Sequence, residues 1–405
     1  MSRSLNPGRQ TRRPKGHSGV PRAATIAILL ACTSLFSVMQ AQDLNHEAMA
    51  RRIVDALQLQ PSERVLLRHD PGYFSEIIVP LRRLVREKGA IDLGALEYVE
   101  IAALEPSPTP ESSTAASEAF AKLLESVDVY IWLPVRTEVR TTPPAEAQSL
   151  ARWLDEGGTH RQVHFHWSQG SVLADGLATT HSKALDKLYE SALDVDYQAM
   201  AAAQDRVIVL LRSGTVRVRT PAGADLRFRI GTRPFNKQEG DASPERMKEA
   251  RIRIDREIEL PAGVLRVAPL EETVRGRLVI PMARLQGKVA RNIQFAIEEG
   301  RITHVAASEN VAAVEAELQA GGDAARRFRE FGLGFNHKLE ATEGSDVLPY
   351  FGYGAGVVRM SLGDNEELGG AVRGGYRRWF FFPDATVEVD GETLVRDGKL
   401  LIPGP

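Results

Sequence analysis

Apolar positions change their spacing along this chain, and the change divides it in two. Residues 44–57 carry Leu44, Met49, Ile53, Val54 and Leu57 on one side of a helical wheel, which predicts an amphipathic helix. Arg64-Val-Leu-Leu-Arg68 then reads as a short buried strand. A helix over 74–88, bent at Pro80 and ended by Gly89, and a strand over 91–98 follow. Helix, strand and helix recur at 116–126, 127–133 and 144–156, with a further strand at 162–167. The polar, proline-rich stretch 106–114 reads as a loop. This alternation predicts an open α/β sheet with helical crossovers.

A long helix over 181–204 is expected to connect that region to a different one. From Arg206 the pattern shortens to strands at Val207–Leu211, Val216–Thr220, Leu226–Ile230 and Ile252–Ile254, most with period-two alternation. Gly263, Gly276, Gly287 and Gly300 punctuate more of them, and one helix is expected over 310–329. The fold class read from this is α/β: an N-terminal open α/β sheet domain over 42–204, then a β-rich α+β domain over 205–405.

Composition adds a leader and removes a partner class. The first 41 residues hold Arg3, Arg9, Arg12, Arg13, Lys15 and Arg22, no acid, and an apolar run from Ala23 to Met39 ending in Met39-Gln-Ala41. They read as a secretory signal peptide, and the protein as secreted or periplasmic. Without them 45 basic residues face 53 acidic ones, so bulk charge gives no reason to expect nucleic-acid binding. Cys32 is the single cysteine, inside Leu29-Leu-Ala-Cys32, where lipid anchoring is the lesser reading because apolar residues continue after it. A mature chain without it has no disulfide, thiolate nucleophile or zinc–sulfur site.

Four short motifs carry the chemistry. They are Leu260-Pro-Ala-Gly-Val-Leu-Arg-Val-Ala-Pro269, Glu330-Phe-Gly-Leu-Gly-Phe-Asn336, Arg359-Met-Ser-Leu-Gly-Asp-Asn365 and Phe382-Pro-Asp384. In order and spacing they resemble the aminopeptidase T (thermophilic metallo-aminopeptidase) family, whose fold holds two catalytic metal ions. Leu59–Leu67, Arg212–Leu226, Val389-Asp-Gly-Glu392 and Arg396-Asp-Gly398 extend the likeness over most of the chain. The resemblance implies a hydrolase that uses zinc, cobalt or manganese to release N-terminal residues from peptides, and a homodimer. A similar fold also hosts a ring-opening dihydroxypyridine dioxygenase, whose iron likewise needs histidines at these motifs.

By that resemblance, two of six site positions keep an acid: Glu330 and Asp384. Val264 stands where the family has a ligand glutamate, Gly354 where it has an acid, Arg359 where it has a histidine, and Phe382 where it has the first residue of a His-x-Asp pair. Valine and phenylalanine cannot bind a metal, and arginine stays protonated and repels one. Two carboxylates without imidazole also suit zinc poorly. The expectation is therefore a degenerate member of the family with no metal cofactor, in which Arg359 forms an ion pair with Glu330 or Asp384. Its pocket, including Arg359, Val264 and Phe382, would take a peptide-like or small-molecule ligand. The alternatives are an active aminopeptidase with a rearranged site using Glu330, Asp384 and His337, and a scaffold that binds a partner.

Other candidates read as structural. His164-Phe-His166 puts two imidazoles on one face of a strand, outside the resembling motifs, and is taken as a packed pair. Phe351–Gly356 reads as a flexible turn, and Asp364, Glu366 and Glu367 as an exposed loop. Glu330 is expected at the end of an arginine-rich helix.

Overall fold

The computed structural model describes residues 44–98, 110–135, 144–167, 171–177, 182–340 and 347–402. The expected leader, with Cys32, and part of the 106–114 loop lie outside the described residues. In chain order, α1 (His46–Leu57), β1 (Arg64–His69), α2 (Ile78–Glu87), β2 (Ile91–Glu97), α3 (Pro110–Leu124), β3 (Val129–Trp132), α4 (Pro144–Asp155) and β4 (Arg161–Phe165) alternate. Then come β5 (Val172–Leu173), α5 (Lys183–Ala192), α6 (Tyr197–Ser213), β6 (Thr215–Arg219), β7 (Asp225–Arg229) and β8 (Asn236–Gln238). The short α7 (Pro244–Lys248) precedes β9 (Glu257–Leu260) and β10 (Val264–Val267). They are followed by β11 (Arg275–Leu285), β12 (Lys288–Glu298), β13 (Arg301–Ala306), α8 (Val311–Ala320) and α9 (Gly322–Ala325). The chain closes with β14 (Phe328–Gly334), β15 (Val347–Leu348), β16 (Val358–Gly363), β17 (Arg377–Phe382), β18 (Thr386–Val389), β19 (Glu392–Arg396) and β20 (Lys399–Leu400).

The first half builds the expected α/β sheet, parallel throughout, in the order β2-β1-β3-β4-β9. Val65, Leu67, Val129, Ile131, Val163 and Phe165 face α1 and α2 within one continuous core. Leu66 and Tyr130 point the other way, toward Phe120 and Trp153 of α3 and α4. Helices thus cover both faces, as the crossovers of parallel strands require. Each fully buried aliphatic or aromatic side chain contributes about 1.5–3 kcal/mol.

The second half is antiparallel. An eight-stranded sheet runs β13-β12-β11-β7-β6-β18-β19-β20, and a five-stranded one runs β17-β16-β14-β10-β8. One segment ties the halves together: β9 is an edge strand of the parallel sheet, and after Pro261 the chain continues as β10 inside the five-stranded sheet. This crossing sets the parallel sheet's β4–β9 edge beside the face that carries Arg266, whose guanidinium reaches the Glu259 carboxylate of β9 at 3.8 Å.

Several expected elements come out differently. The long helix over 181–204 is two helices, because Asp196 accepts from the Ala199 N–H at 2.9 Å and starts α6 afresh. The strand expected at Val207–Leu211 is the last part of α6. Met200, Ala203, Gln204, Val207 and Leu211 are buried at helical spacing while Val209 is 69% exposed. Residue 205, the expected boundary, falls inside this helix. Pro80 bends nothing, for it lies in the first turn of α2, where its missing N–H has no helical partner to lose. Helix α3 opens at Pro110, within the expected loop. The Ile252–Ile254 stretch leads into a 3-10 turn at Arg253–Arg256. Among the described residues no helix is long and apolar enough to cross a membrane.

Candidate functional site

The five-stranded sheet has two unlike faces. Leu265, Phe331, Leu333, Val358, Met360, Phe380 and Phe382 occupy one face and join the main core. Alternate residues form the other. Asn236, Arg266, Gly332, Arg359 and Phe381 stand in a row across the five strands, with Val264 two residues along from Arg266. Glu330 pairs with Ser361 one step further. A β-bulge between Phe328 and Glu330 delivers two consecutive charges, Arg329 and Glu330, to this face. Glu330 is therefore in mid-strand and fully buried, not at a helix end, since Gly321 and Gly322 break the expected helix before it.

Glu330 is held by arginine. Arg359 donates from Nε to Glu330 Oε1 at 2.7 Å, the ion pair anticipated from the sequence, and the Arg329 guanidinium lies against the second carboxylate oxygen. Arg329 also donates from Nε to the Asp364 carbonyl and meets the Glu367 carboxylate. Burial pushes Arg359 down to about 10 and Arg329 to about 9, so both remain cationic at neutral pH. Burial pushes Glu367 up, yet Arg329 and Arg377 outweigh it and hold the carboxyl below its usual value.

Of the acidic loop expected to be exposed, Glu366 is, whereas Asp364 is buried and Glu367 half-buried. Asp364 accepts from the backbone N–H groups of Glu366, Gly374 and Gly375, and Glu367 faces Arg329 and Arg377. These partners draw both side chains inward.

The parallel sheet meets this face at its β4–β9 edge, where Glu259 contacts Arg266. Gln162, His164 and His166 alternate along one face of β4, beside Glu257 and Glu259 of β9 and Trp132 of β3. His164 Nδ1 lies 3.3 Å from Glu257 Oε1 and keeps 21% of its side-chain surface open. Both imidazoles pack against Trp132, at centroid distances of 5.3 and 5.1 Å. Burial pushes both down to about 4, so they are neutral at neutral pH, and it raises the Glu257 carboxyl. Glu259 receives the Tyr353 hydroxyl, and Arg266 donates from Nε and a terminal nitrogen to Asn236 Oδ1 at 2.9 and 2.8 Å. Sequence reasoning missed Glu257, Glu259, Arg266, Arg329 and Tyr353. Charged residues at alternate positions of Glu257-Ile-Glu-Leu260 and Val264-Leu-Arg-Val267, between residues that stay buried, were the available signal.

The remaining expected site residues are distributed elsewhere. Phe382 is on the apolar face, opposite to Arg359 and Val264. Asp384 lies just beyond β17, exposed, and with Phe382 it lines a mainly apolar cavity of about 280 Å³ together with Leu173, Ile280, Met282 and Leu348. His337 is exposed on the loop after β14. At Gly354 the backbone has no space for an acid, since a Cβ would run into the Leu339 carbonyl.

The donor set does not fit a divalent metal pair. Glu330 meets two guanidiniums, Val264 offers no lone pair, and Asp384 and His337 are exposed while Glu330 is sealed. Among the described residues no group of three or more His, Cys, Asp or Glu side chains is placed to hold a metal ion.

No family model and no curated protein matches this chain. Among solved structures it is similar to AmpT from Thermus thermophilus, at 17% identity and a TM-score of 0.61, covering 88% of this chain and 99% of that one. It is also similar to 2,5-dihydroxypyridine dioxygenase from Pseudomonas putida KT2440, at 15% identity and a TM-score of 0.61, covering 88% and 97%. At these identities the likeness is one of fold, and the chain has an AmpT-like fold.

Proposed function

We propose that this protein is an exported, degenerate relative of the aminopeptidase T-like enzymes that binds a peptide-like or small ligand without metal-dependent hydrolysis. The observation that carries this reading is the Arg359–Glu330 pair. The one carboxylate retained at a buried family position is bonded at 2.7 Å to the arginine that stands where the family has a histidine. Metal-assisted hydrolysis needs cations held by free carboxylates and imidazoles, and a carboxylate so occupied has little left to give. The neighbouring losses point the same way: Val264 and Gly354 leave apolar or absent side chains where acids would stand.

A rearranged aminopeptidase would need Glu330, Asp384 and His337 to converge. Two of these are exposed and one is sealed in the charged face. The test is release of N-terminal residues from a panel of short peptides, with zinc, cobalt or manganese added. No metal-stimulated turnover is expected. Turnover that a metal restores after chelation would overturn the reading.

A further inference from the structure

We propose that the apolar cavity beside β17 is a strand-addition site. An extended peptide segment pairs there with the free edge of β17, at Trp379 and Phe381, and lays one apolar side chain into the cavity. This rests on the ligand-binding reading above and names the class of ligand and its place.

The cavity, of about 280 Å³, runs along strand edges rather than over a sheet face. Its wall takes Arg378 to Asp384 in unbroken order, whereas a cavity on either face would meet only alternate residues of β17. The neighbour of β17 on its paired side, β16, contributes nothing to the wall. Opposite stand four consecutive residues of β11, Ile280 to Ala283, and again none from their paired neighbour β12. Leu173, Val347 and Leu348 of the β5–β15 ribbon add to the apolar lining, and Leu173 is 37% exposed.

Register fixes which backbone groups face this space. The Asp364 N–H donates to the Tyr376 carbonyl at 2.8 Å, whereas the Gly363 N–H turns the other way, to the Arg327 carbonyl at 2.8 Å. Antiparallel pairs alternate, so Arg378, Phe380 and Phe382 bond to β16, while Trp379 and Phe381 direct N–H and C=O to the free edge. Neither of these two makes a backbone hydrogen bond outside its sheet among the described residues. On β11 the Arg284 N–H donates to the Asp175 carbonyl at 2.8 Å, and the Arg284 carbonyl accepts from Arg378 Nη2 at 2.6 Å. The same alternation turns the Ile280 and Met282 backbone away from β12, toward the cavity.

These features select an extended peptide. An open strand edge offers alternating donors and acceptors, which another extended backbone matches and an acyl chain or an aromatic ring does not. Size points the same way. The cavity is smaller than the about 300–1,000 Å³ of small-molecule pockets, and suits a single leucine- or phenylalanine-sized side chain rather than a whole ligand. It supplies what a bare edge lacks, a socket that chooses one side chain while the backbone holds the rest.

The experiment is amide hydrogen exchange of the full chain, with and without a short capped peptide in which threonine alternates with valine around a central leucine. Without peptide, the Trp379 and Phe381 amides should exchange faster than those of Phe380 and Phe382. With peptide they should slow about 10-fold or more, as new hydrogen bonds cover them. In calorimetric titration, N-acetyl-leucine amide, which keeps the side chain without the extended backbone, should bind about 10-fold or more weakly than the peptide. Leu173→Trp fills the cavity from a partly exposed position and should weaken peptide binding by a similar factor. Peptide binding that leaves the Trp379 and Phe381 amides unchanged, or equal binding of peptide and N-acetyl-leucine amide, would overturn the strand-addition site while leaving the ligand-binding reading standing. No binding by either compound would sink both. If Leu173→Trp does not fold, exchange in the unsubstituted protein still decides.

Discussion

The two faces of the five-stranded sheet are made from the same strands, one residue out of step. On one face Phe331 packs with Met360 and Phe380, and the contacts are non-directional. On the other Glu330, Arg329, Arg359 and Arg266 are equally removed from water, and each depends on a particular partner. The apolar face gains stability from any well-shaped set of side chains. The charged face gains little net stability, because desolvating the ions offsets most of their attraction. What distinguishes it is specificity of arrangement, which is what a binding site needs.

Substitutions on each face should separate these two kinds of contribution. Glu330→Gln leaves Arg359 without its ion-pair partner and takes one of Arg329's two, and should cost about 3–5 kcal/mol in urea unfolding. Phe331→Ala on the opposite face should cost a similar 3–5 kcal/mol, through a cavity instead. The double change Glu330→Leu with Arg359→Met discriminates between them. It removes charge and counter-charge together and should recover most of the Glu330→Gln loss, whereas no second substitution of comparable size refills the Phe331 cavity. A double variant as unstable as Glu330→Gln would mean that the charged face is held by packing rather than pairing.

The imidazole wall gives a smaller, pH-dependent effect. His164 and His166 titrate at about 4 in the folded protein against 6.5 in the unfolded chain, so the folded form binds fewer protons between those values. Their contribution is complete above pH 6.5 and is lost as pH falls toward 4, by roughly 1–2 kcal/mol per pH unit for the pair. Glu257, with its raised carboxyl, acts in the opposite sense and reduces the slope. Unfolding free energy measured from pH 7 to 5 should therefore fall less steeply in His164→Gln/His166→Gln. An unchanged slope would show that these rings are not the buried neutral groups described. Smallest of all, Asp196→Ala should cost about 1 kcal/mol by uncapping α6.

The sequence makes one of these faces far easier to read than the other, for physical reasons. Helical spacing finds α1, and short apolar runs find β1 and β4, because both are local signals. The same spacing misread Val207–Leu211, where five apolar residues in a row continue an alanine-rich helix and only tertiary burial decides the period. Glu330 went to a helix because Arg326, Arg327 and Arg329 look like a solvated helix end. The bulge that buries Arg329 beside Glu330 leaves no local mark. The Glu330–Arg359 pair was legible through the resemblance, since both stand at motif positions. Arg266 and Glu259 were not, because their contact depends on the crossing between β9 and β10. Phe382 and Asp384, adjacent to the same motifs in sequence, end beside a different cavity because alternation along β17 turns Phe382 to the other face.

The central claim is that arginine has taken the place of metal in this AmpT-like fold. The most direct test is the metal content of the protein purified without chelators and then offered zinc, cobalt and manganese. The account predicts no stoichiometric metal. Two tightly held equivalents per chain would contradict it, and would mean that carboxylates now bonded to arginine can be released to a metal centre.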